Sequence, residues 1–333
     1  MALNISAAKR GFLYNPASKS LGIYVDGVKV EDYATTAGRT YYVNNITGSS
    51  TADGLSWGSA CDEISTAIAL VVARQATMDT GDEYVRNRII VQATSTGYAN
   101  LTSLAGYTDY IGIGADPSGN GVGIARIDGA GAADSVDTGS ATVRGPNFYN
   151  LQFTHSATPG TTYYCFDIAG AMYRARFEHC GFTNGGAACF HAKSCGSIVM
   201  DDCQTKQDQF NALYGMLIGS TSASTGNFNN CQIKNSYFHG TTAGVLVYNN
   251  SCNDTLFDHC TFVGGVNGFV DLDNDANGAA HRLFLVDCYG YGTDSTTRNA
   301  GGFEVTNAST TKGVGCIGND GGTIHMWPAT TTA

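Results

Sequence analysis

The chain has 333 residues, a formal net charge of −10 and only 14% charged residues, while 43% of its residues are hydrophobic. This hydrophobic share supplies a large core and excludes a disordered chain, and the scarcity of charge excludes a fold of long solvated helices. The 18 tyrosines and 15 phenylalanines favour β-strands. The 18 basic residues form no stripe and no apolar run approaches the ~20 residues of a membrane span, so neither a nucleic-acid partner nor a membrane is expected.

The first 38 residues differ from the rest of the chain. Residues 21–30 alternate around Asp26–Gly27, which predicts a β-hairpin. A hairpin has little core of its own, so residues 1–38 are expected to form an anchoring arm that is stable against a partner. The first residues lack the apolar stretch of a secretory signal, so the eleven cysteines are expected to stay reduced in the cytoplasm where the protein is made.

Residues 39–80 are predicted to be the opening segment of the main domain and to carry a helix. Ile64, Ala67, Ile68, Val71 and Val72 recur at helical spacing. This spacing predicts an amphipathic helix over residues 61–75, with its apolar side covering the open end of the structure formed by residues 81–333.

A six-residue pattern recurs six times in the second half of the chain. It reads apolar, variable, then Asn, Asp or His, then small or apolar, variable, and often apolar again. Its third positions are Asn150, His179, Asp202, Asn235, His259 and Asp287. These positions lie 29, 23, 33, 24 and 28 residues apart, about 27 on average. A variable period is typical of a solenoid whose turns carry loops of different lengths.

The chemistry of the six positions predicts the path of each turn. Asn, Asp and His are the non-glycine residues that most readily take the left-handed αL conformation, so the chain bends at position three. Positions one, four and six face inwards, and position two faces outwards. A strand, an αL corner, another strand and a return describe one coil of a parallel β-helix. Residues 81–333 are expected to form about nine such coils at ~27 residues each.

Residues 41–57, YYVNNITGSSTADGLSW, followed by Ile64-Ser65-Thr66-Ala67-Ile68, resemble the opening of pectate-lyase-like right-handed β-helix proteins. The resemblance implies an all-β fold, a right-handed parallel β-helix with an N-terminal capping helix and a short N-terminal hairpin arm. It does not specify a function, since members of this superfamily include polysaccharide lyases, glycoside hydrolases, carbohydrate binders and phage tailspikes.

Low charge, a short arm and the lack of a signal make the chain most similar to the phage virion-surface members of this superfamily. That resemblance implies a structural subunit of a virion, such as a capsid decoration, a fibre or a spike, assembled in the host cytoplasm. The expected partners are two further copies in a homotrimer, a capsid or tail protein bound through residues 1–38, and a host cell-surface polysaccharide. The alternative is a polysaccharide-degrading enzyme, either a glycoside hydrolase or a lyase.

Candidate site residues come from the outward second position of the repeat. Stacked coils place Glu178 and Asp201 about 4.8 Å apart, close to the ~5–5.5 Å between the carboxylates of retaining glycosidases. They are the predicted catalytic pair if the protein is an enzyme, with Tyr149, Lys234 and Asp258 as glycan contacts in the same row. The alternative is a solvated polar stripe with an Asp201–Lys234 ion pair. One carboxylate pair and one lysine fall short of a full acid, base and charge-stabilising set, which favours a structural role.

No cofactor or metal is expected. The acidic loop at Asp271–Gly278 departs from a calcium loop at Ala276 and Arg282. His179 and His259 each precede a cysteine, but a corner imidazole and an inward thiol diverge, so they do not build a zinc site.

Cysteines and tyrosines complete the predictions. Cys180 with Cys203, and Cys260 with Cys288, are predicted to be neighbouring buried thiols. Five tyrosines would serve either a sugar-stacking surface or lateral packing between rods, and the sequence leaves both open. They are Tyr163, Tyr164, Tyr173, Tyr237 and Tyr248.

Overall fold

In the computed structural model, the described residues between 38 and 327 form a right-handed parallel β-helix. The described residues are 10–15, 20–25, 28–32, 38–78, 85–119, 123–158, 162–206, 212–219, 226–248, 250–271, 282–293, 302–305, 311–319 and 323–327. Each complete coil crosses four sheets, here called sheets I to IV in the order in which the chain meets them.

Sheet I comprises β9 (Val136–Asp137), β13 (Tyr164–Ile168), β17 (Ala188–Ala192), β21 (Tyr214–Gly219), β25 (Ala243–Tyr248), β29 (Asn267–Asp271) and β32 (Phe303–Val305). Sheet II comprises β10 (Thr142–Arg144), β14 (Ala171–Tyr173), β18 (Ser194–Gly196), β22 (Gly226–Asn229) and β26 (Asn250–Ser251). All strand pairs within these two sheets are parallel.

Sheet III comprises β4 (Thr40–Val43), β5 (Asn87–Gln92), β7 (Thr108–Ile113), β11 (Asn147–Tyr149), β15 (Arg176–Glu178), β19 (Val199–Asp201), β23 (Gln232–Lys234), β27 (Thr255–Asp258), β30 (Leu283–Val286) and β33 (Thr311–Val314). Sheet IV comprises β6 (Tyr98–Ala99), β8 (Arg126–Asp128), β12 (Gln152–Thr154), β16 (Gly181–Thr183), β20 (Gln204–Lys206), β24 (Tyr237–Gly240), β28 (Thr261–Gly264), β31 (Tyr289–Tyr291), β34 (Cys316–Asn319) and β35 (Ile324–Trp327). Only the last pair in sheet IV, β34 with β35, is antiparallel.

The predicted corner lies between sheets III and IV, and its αL conformation is confirmed. The third positions of all six repeats have φ between 48° and 52°. Each corner residue donates its backbone N–H to the neighbouring coil, as His179 does to Asp201 O and Asn235 does to Asp258 O. The six residues therefore lie in one row along the rod, as the pattern predicted.

A second αL corner, between sheets II and III, was not predicted. It is formed by Gly145, Arg174, Ser197, Asn230 and Asp254, whose φ values run from 52° to 65°. No residue type is shared along this row, so it leaves no pattern in the sequence. It is this corner that separates sheet II from sheet III.

The interior is built from the inward repeat positions, which stack from coil to coil. Phe148 and Phe177 are fully buried in register, with ring centroids 4.9 Å apart. Phe166 of sheet I packs edge-on against both rings, at 5.3 and 5.1 Å. Such stacked and edge-to-face arrangements are the favourable geometries for aromatic pairs.

All eleven cysteines are buried and free. The thiols of Cys180 and Cys203 contact each other, as do those of Cys260 and Cys288. The prediction of stacked inward thiols is therefore confirmed. Burial raises the pKa of the Cys195 thiol, which keeps it neutral and unreactive.

Among the described residues, one helix, α1 (Ile64–Gln75), and a short 3-10 helix (Trp57–Ser59) lie between β4 and β5 in the chain. Helix α1 contacts β4 and β5, the first two strands of sheet III, and buries Ile64, Ala67, Ile68 and Val71. Val72 was predicted on the same apolar face and is instead exposed, because it lies at the edge of the buried stripe, about 100° around the helix axis from Val71. Among the described helices, none is long and apolar enough to cross a membrane.

The predicted hairpin is present as β2 (Ser20–Val25) and β3 (Val28–Asp32), with Val25 paired to Val28 in antiparallel register. A further strand, β1 (Arg10–Asn15), pairs with β2 and completes a three-stranded antiparallel sheet. Among the described residues this N-terminal sheet shares no strand pairing with sheets I to IV.

Replacing His259 by valine is expected to lower the free energy of unfolding by about 1–2 kcal/mol, because a β-branched residue resists the αL conformation at φ 52°. His259→Gly is the matched control, since it removes the same exposed side chain and relieves the backbone. Urea unfolding of both variants measures the difference. Equal stability of the valine and glycine variants would contradict the corner argument.

Candidate functional site

The predicted site residues form a row on the outer face of sheet III. Tyr149, Glu178, Asp201, Lys234 and Asp258 are paired in register through successive strands. All five are half-buried. The structure therefore places these residues together in the predicted order.

The two carboxylates of the predicted pair are held by local partners. Glu178 Oε2 accepts a hydrogen bond from Arg176 Nε at 2.8 Å, two residues away on the same strand. Asp201 Oδ1 accepts one from Asn235 Nδ2 at 2.9 Å. The Asp201–Lys234 ion pair of the alternative interpretation does not form, and Asp201 is bonded instead to the corner amide of Asn235.

The corner histidines do not converge with the cysteines that follow them. His179 Nδ1 contacts Asp202 Oδ2 at 2.8 Å, and His259 Nδ1 contacts Asp258 Oδ1 at 2.6 Å. Cys180 and Cys260 are each only 1% exposed and point into the core. These residues assemble no four-ligand zinc site.

The acidic loop considered for calcium falls largely outside the described residues. Asp271 ends β29, is fully buried, and accepts a hydrogen bond from Thr311 Oγ1 at 2.7 Å. Residues 272–278 are not among those described.

The tyrosines do not form one sugar-stacking surface, because they lie on different sheets. Tyr164 and Tyr248 pack against a small hydrophobic cluster on the outer face of sheet I, centred on Leu217 and Leu246. Tyr173 lies on sheet II and Tyr237 on sheet IV. Tyr163 precedes β13.

A cluster that the sequence did not predict lies at the start of sheet I. One carboxylate oxygen from each of Asp134, Asp137 and Asp167 lies within 4.8 Å of the other two. Asp137 and Asp167 are paired in register on β9 and β13, and Asp134 precedes β9. Asp167 is 8% exposed and the other two are half-buried. We call Asp134, Asp137 and Asp167 the acidic cluster.

His191 extends the acidic cluster along the sheet by one strand. It is paired in register with Asp167, and its Nδ1 lies 2.6 Å from Asp167 Oδ1. Its Nε2 lies 2.7 Å from the carbonyl oxygen of Gly219, so each ring nitrogen faces an oxygen atom. The ring of Tyr164 stacks on the imidazole with a centroid distance of 4.5 Å. His191 thus fixes the orientation of the Asp167 carboxylate.

Backbone donors orient the other two carboxylates. Asp134 Oδ1 accepts the backbone N–H of Tyr164 at 2.6 Å, and Asp137 Oδ1 accepts that of Gly139 at 2.6 Å. The pKa of Asp134 is raised to about 6, chiefly by burial and also by the charges of Asp167 and Asp137, against the lowering effects of the Tyr164 hydrogen bond and of His191. Crowded, half-buried carboxylates favour retention of a proton by one member.

A buried histidine ties the loop before Asp134 to sheet I. His155 Nδ1 accepts the backbone N–H of Gly131 at 3.3 Å, so its protonated Nε2 donates to the carbonyl of Tyr164 at 3.2 Å. Burial lowers the pKa of His155, which keeps it in this neutral form. A side chain at Gly129 would come within 2.7 Å of the His155 ring, so the loop requires glycine there.

The acidic cluster offers two kinds of chemistry. Three adjacent carboxylates are oxygen ligands of the type that Ca²⁺ prefers, although Ca²⁺ takes 6–8 oxygens and the cluster supplies three side chains. The cluster also combines a carboxyl group that keeps its proton with carboxylates that accept hydrogen bonds. Such a combination can serve as a general acid together with a nucleophile or base.

Asp134→Asn is expected to stabilise the protein at pH 8 more than at pH 4. The carboxyl binds its proton more tightly in the native state (pKa about 6) than in the unfolded chain (about 3.9), so wild-type stability falls as the pH rises between these values. The asparagine oxygen keeps the acceptor for Tyr164 without a charge. Thermal unfolding at pH 4, 6 and 8 measures the effect, and each kcal/mol of stability shifts the melting temperature by about 2–4 °C. A melting-temperature difference that does not change with pH would contradict the raised pKa.

Comparisons with known proteins give a structural likeness and little else. No protein-family model matches the sequence, and no curated protein matches it. The chain is similar to a crystal structure of pectate lyase Pel9A, with 14% identity, a TM-score of 0.44, and coverage of 84% of this chain and 80% of that one. It is also similar to the A-module of mannuronan C-5 epimerase AlgE4 from Azotobacter vinelandii, with 10% identity, a TM-score of 0.27, and coverage of 77% and 94%. At these values the likeness does not specify an activity.

Proposed function

We propose that this protein is a carbohydrate-active β-helix that hydrolyses a polysaccharide at the acidic cluster. The observation that carries the proposal is the set of three carboxylates within 4.8 Å on the outer face of a parallel sheet. The sequence argument against catalysis was the lack of such a polar constellation. The constellation is drawn from separate coils, so no single segment contains it.

The proposed roles follow from the environment of each carboxyl group. Asp134 is the general acid, because its raised pKa of about 6 keeps the proton that the leaving glycosidic oxygen must receive. Asp137 is the nucleophile, since its carboxylate is half-buried and oriented by Gly139 N–H. Asp167 is a positioning residue: its carboxylate is held by His191, and its negative charge helps to keep the proton on Asp134.

The spacing favours one of the two stereochemical courses of glycoside hydrolysis. Retaining enzymes place their carboxyl groups about 5–5.5 Å apart, whereas inverting enzymes leave about 6.5–9.5 Å for a water molecule. One oxygen of each carboxyl group lies within 4.8 Å of the others, which is closer to the retaining spacing than to the inverting one. We therefore expect a covalent glycosyl intermediate on Asp137 and retention of configuration at the anomeric carbon.

Other hydrolytic chemistries have less support. All eleven cysteines are buried, so no thiol is available as a nucleophile. Three adjacent carboxylates repel a phosphate group, which disfavours phosphoester substrates.

The test is a depolymerisation screen over neutral and acidic polysaccharides, read out as new reducing ends. We expect cleavage by the wild-type chain, loss of cleavage in Asp137→Asn, and no effect of a chelator. Glu178→Gln is the matched control on sheet III, the site of the predicted catalytic pair. Loss of cleavage in Glu178→Gln with retention in Asp137→Asn would move the activity to sheet III. Loss on chelation would make the acidic cluster a cation site.

A second proposal concerns the place of the protein in an assembly. We propose a virion-surface role in which residues 1–38 bind a capsid or tail protein and three copies associate. The separate strand pairing of β1, β2 and β3 supports it. Deleting residues 1–38 is expected to abolish incorporation into particles while the β-helix remains folded, and light scattering of the full chain is expected to give the mass of a trimer. Unchanged incorporation, or a monomeric mass, would contradict it.

A further inference from the structure

A groove on the outer face of sheet II is chemically unlike the acidic cluster. Its volume is about 380 Å³, and arginine, tyrosine and asparagine side chains line it, with no carboxylate among its lining residues. The residues used below are Arg144, Tyr173, Arg174, Gly196, Asn227 and Asn229.

Strand register builds the floor of the groove. Arg144, Tyr173, Gly196 and Asn229 are paired in that order through β10, β14, β18 and β22. They form one outward row across four coils. An elongated ligand that follows the rod would meet all four positions in turn.

A glycine allows an aromatic ring to lie across this floor. A Cβ atom at Gly196 would come within 2.8 Å of Tyr173 Cδ1, so only glycine leaves room for the ring in its present position. The guanidinium of Arg144 lies over the same ring, 5.6 Å from its centroid. Cation–π contact of this kind holds the ring and the guanidinium together as one surface. Tyr173 is nevertheless 36% exposed.

The two arginines of the groove carry positive charge that no carboxylate in the described part of the chain neutralises. Arg144 and Arg174 are exposed, and neither makes an ion pair with any residue that the structure describes. Other arginines do make one, as Arg176 does with Glu178 and Arg282 with Asp254. In a chain with a net charge of −10, two unpaired arginines in one groove mark a local site for an anion.

The position of Arg174 is also unusual. It occupies the αL corner with φ 57°, where the equivalent residues of neighbouring coils are Gly145 and Ser197. A long cationic side chain is not needed to make this corner, and the αL conformation is unfavourable for such a residue. The backbone turn at this corner places Arg174 in the lining of the groove, beside Tyr173.

We propose that this groove binds an acidic saccharide, a sugar unit that carries a carboxylate or a sulfate. Arg144 and Arg174 hold the anion, because guanidinium groups bind such oxyanions with paired N–H donors. The ring of Tyr173 packs against the apolar face of the sugar, and the side-chain amides of Asn227 and Asn229 bond its hydroxyl groups. The site concerns binding alone and stands whether or not the acidic cluster cleaves.

The test measures binding by calorimetry in the full chain carrying Asp137→Asn, so that cleavage cannot consume the ligand. The probes are a hexuronate oligomer, a sulfated oligosaccharide, a neutral glucose oligomer and inorganic sulfate. We expect at least one acidic oligosaccharide to bind, and Arg144→Gln with Arg174→Asn to weaken it at least 10-fold. Arg174→Asn suits the αL corner, so the fold is retained. Arg282→Gln removes an ion-paired arginine elsewhere and is expected to leave the Kd unchanged.

Several results would overturn the proposal. These are no binding of either acidic oligosaccharide, equal binding of the neutral oligomer, or binding of inorganic sulfate as tight as that of the oligosaccharides. An unchanged Kd in the double variant, or an equal loss in Arg282→Gln, would also overturn it. Loss of cleavage alone would bear on the acidic cluster and not on the groove.

Discussion

Asp134→Asn is expected to lower the rate of polysaccharide cleavage by about 10²–10⁴-fold, the usual contribution of a general acid. The amide keeps the acceptor for Tyr164 N–H but has no proton to give to the leaving oxygen. The loss should therefore fall on kcat and leave KM within a few-fold of wild type. Substrates with a good leaving group, such as nitrophenyl glycosides, need less protonation and should lose less activity.

The pH profile provides a second readout of the same residue. Activity that needs protonated Asp134 should fall as the pH rises through about 6, and this limb should be missing in Asp134→Asn. Asp201→Asn, which removes an outward carboxylate from sheet III, is the matched control and should keep the wild-type profile. An Asp134→Asn enzyme with the wild-type rate on all substrates would exclude Asp134 as the acid.

The fold could be predicted from the sequence because the corner between sheets III and IV is a local constraint. Each Asn, Asp or His at position three takes αL by its own chemistry, and the inward phenylalanines and cysteines follow at fixed offsets. The hairpin around Asp26–Gly27 and the apolar stripe of α1 are local in the same sense. No knowledge of distant residues was needed for any of them.

The candidate site could not be predicted in the same way, because its residues belong to different coils and different offsets. Asp137, Asp167 and His191 lie 13, 12 and 11 residues before the corners at Asn150, His179 and Asp202. The drift reflects segments of unequal length between sheets I and III. Only the strand register aligns the three residues.

A signal for the cluster nevertheless exists in the sequence. Once the corners are known, titratable residues 11 to 13 positions before them in successive coils indicate one column of sheet I. Asp134 carries no such signal, because it lies outside a strand and is brought in by a loop held by His155 and Gly129. Glu178 and Asp201, in the outer row of sheet III, are therefore conspicuous in the sequence, whereas the carboxylates of the acidic cluster are not.

Phe177→Ala is expected to lower the free energy of unfolding by about 3–5 kcal/mol, the usual cost of removing a buried phenylalanine. The ring is fully buried. Its centroid lies 4.9 Å from that of Phe148, 5.1 Å from that of Phe166 and 5.3 Å from that of Phe190. Its loss leaves a cavity that cannot close, because the strand spacing of sheet III is fixed by hydrogen bonds. Phe284→Ala is the matched control, since that ring lies on sheet III but is 41% exposed, and it should cost less than about 1 kcal/mol.

The position of Phe177 also determines how the loss should appear in urea unfolding. In a solenoid each coil is stabilised by its two neighbours, so a weak interface in the middle of the rod divides it into two units that unfold more independently. Phe177 lies on the sixth of ten strands from the C-terminal end of sheet III, which places the defect near the middle. The transition of Phe177→Ala should therefore be broader, with a lower apparent m value, while Phe284→Ala keeps the wild-type slope. A shifted midpoint with an unchanged slope would show that the stacked phenylalanines add stability without coupling the coils.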